Sequence, residues 1–293
     1  MAHTTTESVG KTQVSRHWSS LSADPNSEIV LQQRAETLAA AWMPQVADRV
    51  GFIVERARGK RVLDLGCVAH DVERMKSNRW LHHEIAEAGD VCVGVDVLSE
   101  GVEAMNEAGY TAVVADLAKN PEALTGHGLF QIIVAGELIE HVGNLDMIFE
   151  AAEKYLTADG ELIITTPNPY APARVRAGRR GEIWENVDHI MYAFPSGIAE
   201  LAERHGLLLA VATTSDRLKP RRATPLQWAK RTLRRSHYHR TGFSTTVGVV
   251  RHVIADRRDS LDRLADRMMK RVSSRHRFTG ETAIYVVRRG TLP

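Results

Sequence analysis

The stretch Arg61-Val62-Leu63-Asp64-Leu65-Gly66-Cys67 decides the fold of this chain, together with the later stretch Val91-Cys92-Val93-Gly94-Val95-Asp96. Each stretch is a short apolar run that ends in an acid or a glycine. A third run over 112–116 also ends in an acid, and a fourth over 130–135 leads into a glycine and a glutamate. Buried strands of a parallel sheet read as such runs, and their carboxyl ends open into a ligand crevice. The sequence therefore predicts a parallel sheet whose acids gather at one edge.

Apolar runs and helical patterns alternate along most of the chain, which predicts a doubly wound, mostly parallel α/β sheet. Seven strands are predicted, at 61–66, 91–96, 111–115, 130–135, 161–166, 207–213 and 282–287. Three- and four-residue spacing of apolar residues predicts helices between and before them, at 28–58 with a break near Pro44, within 67–89, and at 99–108, 145–157 and 196–205. Asp159-Gly160 predicts a turn before the fifth strand. The arginines at 174–180 fall in a predicted loop, either as a solvated lid or as contacts for an anionic acceptor.

Charge divides the chain into unequal parts. The whole chain carries a net charge of +2, yet the segment 216–278 contains 18 Lys and Arg residues against 5 Asp. We predict a flexible arm at 1–27, a core at 28–215, a basic helical insertion at 216–278, and the final strand of the core with the C-terminus at 279–293. The basic insertion indicates an anionic partner, such as a phosphate-bearing substrate, a nucleic acid or an acidic membrane surface. A solvated helical surface that balances the acidic core is an equal alternative.

Cysteine usage and hydropathy indicate the compartment. The chain has two cysteines, Cys67 and Cys92, and both lie in or beside predicted buried strands. This favours free thiols in a reducing cytosol over a disulfide framework. No apolar run approaches the length of a membrane span, and no signal peptide is visible. The sequence therefore predicts a cytoplasmic protein with no transmembrane segment, whose oligomeric state stays open.

The strand ends resemble those of class I S-adenosylmethionine-dependent methyltransferases. The resemblance rests on Asp64-Leu65-Gly66-Cys67, on Asp96 and Asp116, and on the late final strand, and it covers roughly 58–213 and 282–289. It implies a Rossmann-like sheet and an enzyme that uses S-adenosyl-L-methionine as its cofactor. It also implies a set of cofactor-binding residues: Asp64, Gly66, Cys67, Asp96, Val97, Asp116, Leu117 and Gly136.

The chemistry of the cofactor suggests a role for each acid. Asp96 would accept hydrogen bonds from the ribose hydroxyls, as the acid after the second strand does in dinucleotide folds. By resemblance, Asp116 would accept from the adenine amino group and Asp64 would help to hold the ammonium. Val68 and His70 stand where the glycine-rich loop of the family usually has its second and third glycines. Because a pyrophosphate needs close backbone approach at those glycines, their loss weakens a nicotinamide or flavin interpretation most.

The segment Gly136-Glu137-Leu138-Ile139-Glu140-His141 follows the fourth strand, where the family places residues near the transferred methyl group. On a helical turn, Glu137, Glu140 and His141 would share one face. With His189 from a later loop they form a candidate site for Mg²⁺, Mn²⁺ or Zn²⁺. The pattern resembles the ubiquinone-biosynthesis O-methyltransferases and the small-RNA terminal 2′-O-methyltransferases, in which these positions are associated with metal-assisted O-methylation. The alternative is that Glu137 caps the helix and His141 is a satisfied buried histidine.

A hydroxyl acceptor must lose its proton to attack a sulfonium methyl group well, and a cation or a neutral imidazole helps to remove it. We therefore predict O-methylation, with His141, His189 and Glu137 as the candidate catalytic residues. The acceptor is predicted to be a small molecule or a saccharide or lipid intermediate, anionic ones included. Two alternatives stay open. One is methylation of an RNA 3′ end, and the other is a non-catalytic adenosyl-binding regulator whose basic segment holds nucleic acid. Peripheral contact of that segment with a membrane also stays open.

Overall fold

The fold is known from a computed structural model that describes residues 17–70, 75, 77, 80–182, 185–215 and 278–289. Seven strands lie in these ranges: β1 (Arg61–Leu65), β2 (Val91–Asp96), β3 (Thr111–Val114), β4 (Phe130–Gly136), β5 (Leu156–Pro167), β6 (Leu207–Ser215) and β7 (Thr282–Arg289). They form one sheet in the order β3-β2-β1-β4-β5-β7-β6. β1 to β5 pair in parallel, and β7 runs antiparallel to both β5 and β6. The predicted doubly wound, mostly parallel α/β sheet is confirmed.

Seven α-helices lie in the described part of the chain: α1 (Glu28–Ala41), α2 (Arg49–Ala57), α3 (Leu81–Ala88), α4 (Ser99–Glu107), α5 (Asp146–Tyr155), α6 (Pro172–Arg179) and α7 (Pro195–Arg204). The predicted break near Pro44 separates α1 from α2. α2 begins after Asp48, whose side chain accepts hydrogen bonds from the backbone N–H groups of Val50 and Gly51. This is the usual way to satisfy the free amides of a first turn.

Two of the predicted elements were wrong. Asp159-Gly160 does not separate a helix from the fifth strand, because β5 already begins at Leu156, which pairs with Phe130. The register then shifts, so the dipeptide lies in an irregularity within the strand. The predicted loop around the arginines at 174–180 contains α6, which starts at Pro172. A proline at the first helical position has no N–H to leave unsatisfied and has the right φ for a helix.

The core lies between the sheet and its helices. Almost every residue of β1, β4 and β5 that the apolar runs predict to be buried is buried, with Val62, Leu63, Ile133 and Ile163 completely so. α5 and α7 cover one face of the sheet, and α2 and α3 cover the other. Because both faces are covered, the middle parts of the central strands are apolar, as at 132–135 in β4 and 162–164 in β5.

The chain before α1 contacts α7, and the segment between α1 and α2 contacts the edge strand β6. Trp18 donates from Nε1 to Glu200 Oε1 of α7 at 3.1 Å, and His17 lies 3.1 Å from the same oxygen. Trp42 and Val46 form isolated bridges with β6. The predicted flexible arm therefore has an anchored part at 17–27, whereas its residues 1–16 lie outside the described ranges.

The basic helical insertion lies almost wholly outside the described residues, because only Phe278 of the segment 216–278 belongs to them. The anionic partner that we predict for this insertion therefore stays a prediction. Within the ranges that are described, no helix has both the length and the apolarity that crossing a bilayer requires. Cys67 and Cys92 are free thiols, as predicted.

Candidate functional site

A cavity of about 970 Å³ opens at the carboxyl edge of the sheet, beside the ends of β1, β2, β3 and β4. All eight residues predicted to contact the cofactor line it: Asp64, Gly66, Cys67, Asp96, Val97, Asp116, Leu117 and Gly136. They come from four strands that are up to 72 residues apart in sequence. Their convergence follows from the strand order, because parallel neighbours end at the same edge of the sheet.

Asp96, at the end of β2, is held by two backbone amides. Its Oδ2 accepts from the N–H of Val68 at 3.0 Å, and its Oδ1 accepts from the N–H of Leu98 at 3.1 Å. These bonds fix the carboxylate between the loop after β1 and the start of α4. Since each carboxylate oxygen has two lone pairs, both oxygens can still accept a bond from a ligand diol.

Asp116, just beyond β3, has a cationic neighbour that the sequence reading missed. Its Oδ2 lies 2.7 Å from the Nζ of Lys119, and its Oδ1 accepts from the N–H of Ala118 at 3.1 Å. The hydrogen bond from Lys119 is the main reason that the pKa of Asp116 is lowered. The carboxylate is therefore ionised and can accept a hydrogen bond from an exocyclic amino group.

The loop after β1 has left-handed backbone positions, although Val68 and His70 stand where the family usually has glycines. Gly66 has a φ of +75°, and a Cβ there would lie 2.9 Å from a methyl group of Leu138. His70 has a φ of +70°, a region that side chains other than glycine seldom occupy. Val68 turns its side chain onto α4, where a Cβ at Gly101 would come within 2.2 Å of it. The valine thus fills space that the glycine in α4 leaves open.

Asp64 is buried, with 3% of its surface exposed, and its Oδ2 lies 2.9 Å from the Nδ1 of His82 in α3. Next to this pair, Trp80 donates from Nε1 to the carbonyl oxygen of Cys67 at 2.8 Å. The start of α3 is therefore attached to the end of β1 and to the loop that follows it. Trp80 is buried in the core. The His82–Asp64 contact could not be found from the sequence, since nothing in the spacing of these residues signals it.

At the end of β4, the expected arrangement on a helical turn is wrong. Glu137 has a φ of +55°, and only Ile139–His141 form a short 3₁₀ helix. The side chain of Glu137 contacts Arg49. Its Oε1 lies 3.4 Å from Nη1 of Arg49, which also donates to Oγ1 of Thr165. Both Glu137 and Arg49 line the cavity.

Glu140 faces the sheet. Its side chain is buried, with 1% exposed, and its Oε2 accepts from the Oγ1 of Thr166 at 2.9 Å. Burial raises the pKa of Glu140 to about 8, and the nearby charge of Glu137 adds to the shift. At neutral pH the carboxyl is therefore mostly protonated.

His141 lies at the wall of the cavity, between two other imidazoles. Its Nδ1 is 3.1 Å from the Oδ2 of Asp188. The ring centroids of His70 and His189 lie 4.8 and 4.7 Å from its own. Burial is the largest cause of the lowered pKa of His141, against the opposing effect of Asp188. The imidazole is therefore neutral at neutral pH and can accept a proton.

His189 is held in place by its contact with Glu185. Its Nδ1 lies 3.0 Å from the Oε2 of Glu185, and Glu185 also pairs with Arg174 of α6. Arg174 makes a second ion pair with Glu281, next to β7, at 3.7 Å. The arginine that was considered as a contact for an anionic acceptor is thus engaged within the protein.

Two groups of side chains have donor atoms that lie within 4.8 Å of one another, close enough for a cation. One consists of His70, His141 and Asp188, and the other of Glu140, His141 and His189. Three of the four predicted metal ligands come together in the second group. In the described part of the chain, Glu137 belongs to neither.

Comparison with known proteins identifies the family. Residues 33–210 match a family that is described as a methyltransferase domain. This match spans more than half of the chain. The chain belongs to the class I S-adenosylmethionine-dependent methyltransferases.

Curated relatives of this methyltransferase are similar at low identity. The chain is 28% identical over 139 residues to the ubiquinone biosynthesis O-methyltransferase of Pectobacterium carotovorum, which covers 44% of this chain and 53% of that one. It is 24% identical over 194 residues to the protein of the same name from Ralstonia nicotianae, with 63% and 74% covered. The chain thus spans about half the length of the first of these relatives.

Solved structures include similar methyltransferases. A methyltransferase from Archaeoglobus fulgidus is 14% identical, with a TM-score of 0.45 over 89% of this chain and 99% of that one. The magnesium protoporphyrin IX methyltransferase of Synechocystis, solved with bound S-adenosylhomocysteine, is 16% identical, with a TM-score of 0.41 over 69% and 87%.

Proposed function

We propose that this protein transfers the methyl group of S-adenosylmethionine to an oxygen atom of a small-molecule acceptor, including saccharide and lipid intermediates. The observation that carries the proposal is the position of His141. A neutral imidazole, backed by a carboxylate, lies at the wall of the cavity in which the strand-end acids meet. The names of the curated relatives, which are O-methyltransferases, support oxygen as the methylated atom.

The residues at the strand ends fit the cofactor. Asp96 would accept from the ribose hydroxyls, Asp116 from the adenine amino group, and Asp64 from the ammonium of the amino-acid end. Val97 and Leu117 would supply apolar contacts beside the adenine, since both line the cavity next to those acids. The remaining predicted contacts, Gly66, Cys67 and Gly136, would present backbone without a large side chain in the way.

When bound, the cofactor supplies a methyl group on a positively charged sulfur. His141 would accept the proton of the acceptor hydroxyl while that oxygen forms a bond to the methyl carbon. The cofactor would give up its methyl group and leave as a neutral thioether, which keeps the electron pair of the former carbon–sulfur bond. Nδ1 of His141 lies 3.1 Å from Asp188, to which it would donate a hydrogen bond, and Nε2 would then take the proton of the acceptor. The same carboxylate stabilises the imidazolium that forms.

Glu137 and His189 would support this step from two sides. Glu137 lines the cavity with its partner Arg49. Glu137 would accept a hydrogen bond from the acceptor, and the positive charge of Arg49 would attract an anionic acceptor. His189 packs edge-on against His141 at 4.7 Å and is fixed by Glu185. His189 therefore contributes by keeping the proton acceptor in place.

The pH dependence of methyl transfer tests the role of His141. We expect kcat/KM to fall on the acid side with an apparent pKa below the usual value of histidine, because burial favours the neutral ring. His141→Gln should lower kcat roughly 100-fold or more and abolish this acid limb. His205→Gln is the matched control, since His205 contacts Asp146 and Glu153 and is not among the residues that line the cavity. An unchanged profile in His141→Gln would contradict the proposal.

A divalent cation is a second proposal for the same place, with Glu137, Glu140, His141 and His189 as its predicted ligands. The close approach of donor atoms in Glu140, His141 and His189 supports it, and Mg²⁺, Mn²⁺ and Zn²⁺ all suit such a mixed set. The protonated state of Glu140 and its bond to Thr166 argue for a structural role instead.

Glu140→Gln separates these roles, because its amide oxygen can still accept from Thr166 but cannot act as an anionic ligand. The experiment measures methyl transfer after treatment with a chelator and again after a single cation is added back. Activity that is lost and restored in the wild type, but not restored in Glu140→Gln, supports the cation. Full activity of both proteins in chelator would remove the cation proposal and leave His141 as the proton acceptor.

A further inference from the structure

A buried histidine contacts the acid at the end of β1. His82, in the first turn of α3, has 1% of its surface exposed, and its Nδ1 lies 2.9 Å from Oδ2 of Asp64. In a hydrogen bond between these two atoms, Nδ1–H is the donor and the carboxylate oxygen accepts. Both residues also border the cavity, because each belongs to its lining. The contact therefore lies between the inside of the protein and the ligand site.

The surroundings of His82 leave its ring little room to move. Trp80 and Tyr110 lie against it, with ring centroids at 5.2 and 5.4 Å. On the β2 side, a Cβ at Gly94 would lie 3.0 Å from Cε1 of His82 and 2.7 Å from the sulfur of Cys67. The absence of a side chain at Gly94 is what admits the ring. The direction of the Nδ1–H bond is thus set by packing.

The environment of the other ring nitrogen, Nε2, indicates which hydrogen bond His82 contributes. Its Nε2 is buried and has no hydrogen-bond partner among the described residues. A buried polar atom without a partner destabilises the fold, and a phenylalanine of similar shape would avoid that penalty. Among the described residues, the hydrogen bond that a histidine can make here and a phenylalanine cannot is the one from Nδ1 to Asp64.

We propose that His82 is a positioning residue, which holds one oxygen of Asp64 so that the carboxylate is presented to the ammonium group of the cofactor's amino-acid end. This inference rests on the proposed contact between Asp64 and that ammonium. A carboxylate has about four acceptor positions, so the bond to His82 leaves others for the ligand. A side chain that is already oriented loses less conformational freedom on binding, which favours affinity.

The proposal predicts an effect on one end of the ligand only. S-adenosylhomocysteine carries the amino-acid end, whereas 5′-methylthioadenosine has the same adenosine and sulfur without it. A loss of the His82 bond should therefore weaken S-adenosylhomocysteine and leave 5′-methylthioadenosine unchanged. A residue that only packs the fold would affect both ligands alike, because both need the same adenosine pocket.

The experiment compares the affinities of the two ligands by calorimetry in the full chain. His82→Phe keeps a flat ring and removes the donor, and we expect S-adenosylhomocysteine to bind about tenfold more weakly. His82→Asn places an amide N–H near the position of Nδ1 and should restore the wild-type ratio of affinities. If the Phe variant does not fold, His82→Gln replaces it, because its amide nitrogen lies near the position of Nε2 instead. His83→Asn is the control, since His83 contacts Tyr110 and not Asp64.

Asp64→Asn separates a failure of this inference from a failure of the proposed function. If Asp64→Asn binds both ligands as the wild type does, the proposed cofactor contact of Asp64 is wrong. If Asp64→Asn loses S-adenosylhomocysteine selectively and the variants without the donor do not, the contact stands and the positioning role is overturned. Equal weakening of both ligands in His82→Phe or His82→Gln would also overturn the positioning role and assign His82 to packing.

Discussion

The three acids at the strand ends are held in three different ways, although they look alike in sequence. Asp96 is fixed by two backbone amides, Asp116 pairs with a lysine at the surface, and Asp64 is buried against a histidine. Backbone amides are fixed by the main chain, so the position of the Asp96 carboxylate is set by the loop after β1 and the start of α4. The acid that would grip the ribose is therefore also the one whose position depends least on other side chains.

Asp96→Ala should weaken the binding of S-adenosylhomocysteine severely, because the ribose diol loses both of its acceptors. Two charge-assisted hydrogen bonds at about 1.5 kcal/mol each correspond to roughly a 100-fold loss of affinity. Calorimetry measures this loss. Asp90→Ala, at the other end of β2, is a control that should bind as the wild type does, and an unchanged affinity in Asp96→Ala would refute the ribose assignment.

Among the elements, α3 and the loop after β1 each place a side chain over a glycine of a neighbouring element. The wide side chains of Val68 and His82 each lie over a glycine, Gly101 in α4 and Gly94 in β2. A glycine in a strand usually weakens it, so its presence indicates close approach of another group. In this protein the approaching groups are the loop and the helix that surround Asp64.

Gly94→Ala should therefore destabilise the protein, although alanine normally suits a strand better. The added methyl group would meet His82 and the sulfur of Cys67, and such overpacking costs about 1–3 kcal/mol. Urea unfolding measures the free energy of unfolding. Gly197→Ala in α7 is the control, because a Cβ there meets nothing within 4 Å and should stabilise the helix by about 0.5–1 kcal/mol. A Gly94→Ala protein as stable as the wild type would mean that the ring of His82 has room to move.

At the scale of the whole molecule, the strand order is what makes a site. β1 lies at the centre with β2 and β4 on either side, so the chain reverses its direction across the sheet at β1. Loops on opposite sides of such a point diverge and leave a crevice. The cavity lies there, and its walls come from elements that would separate on unfolding. A ligand in it should therefore stabilise the entire described fold.

S-adenosylhomocysteine should raise the temperature of thermal unfolding. A ligand at 100 times its Kd stabilises the native state by about 2.7 kcal/mol, which for a chain of this size corresponds to a rise of roughly 5 °C or more. Scanning calorimetry or fluorescence measures the shift. At the same ligand concentration Asp96→Ala should shift less, and ATP should not shift at all, because the loop after β1 lacks the glycines that bring backbone close to phosphates. The absence of a shift in the wild type would contradict cofactor binding in this cavity.

The acids of the site could be predicted from the sequence, but the side chains that contact them could not. The placement of Asp64, Asp96 and Asp116 at one edge follows from the apolar runs that precede them. The helical face proposed for Glu137, Glu140 and His141 failed, because the backbone at Glu137 is left-handed and the short 3₁₀ helix begins only at Ile139. No local pattern indicates that a non-glycine residue will take such a conformation.

The apolar runs are enough to predict the sheet and the edge at which its acids gather, because buried parallel strands must be apolar and must end together. The contacts of each acid follow instead from the packing of separate elements. The bond between His82 and Asp64, and the protonated Glu140 against Thr166, depend on distances between separate elements and on burial. Such distances are set when helices pack onto the sheet, and the order of residues along the chain does not contain them in a form that spacing can reveal.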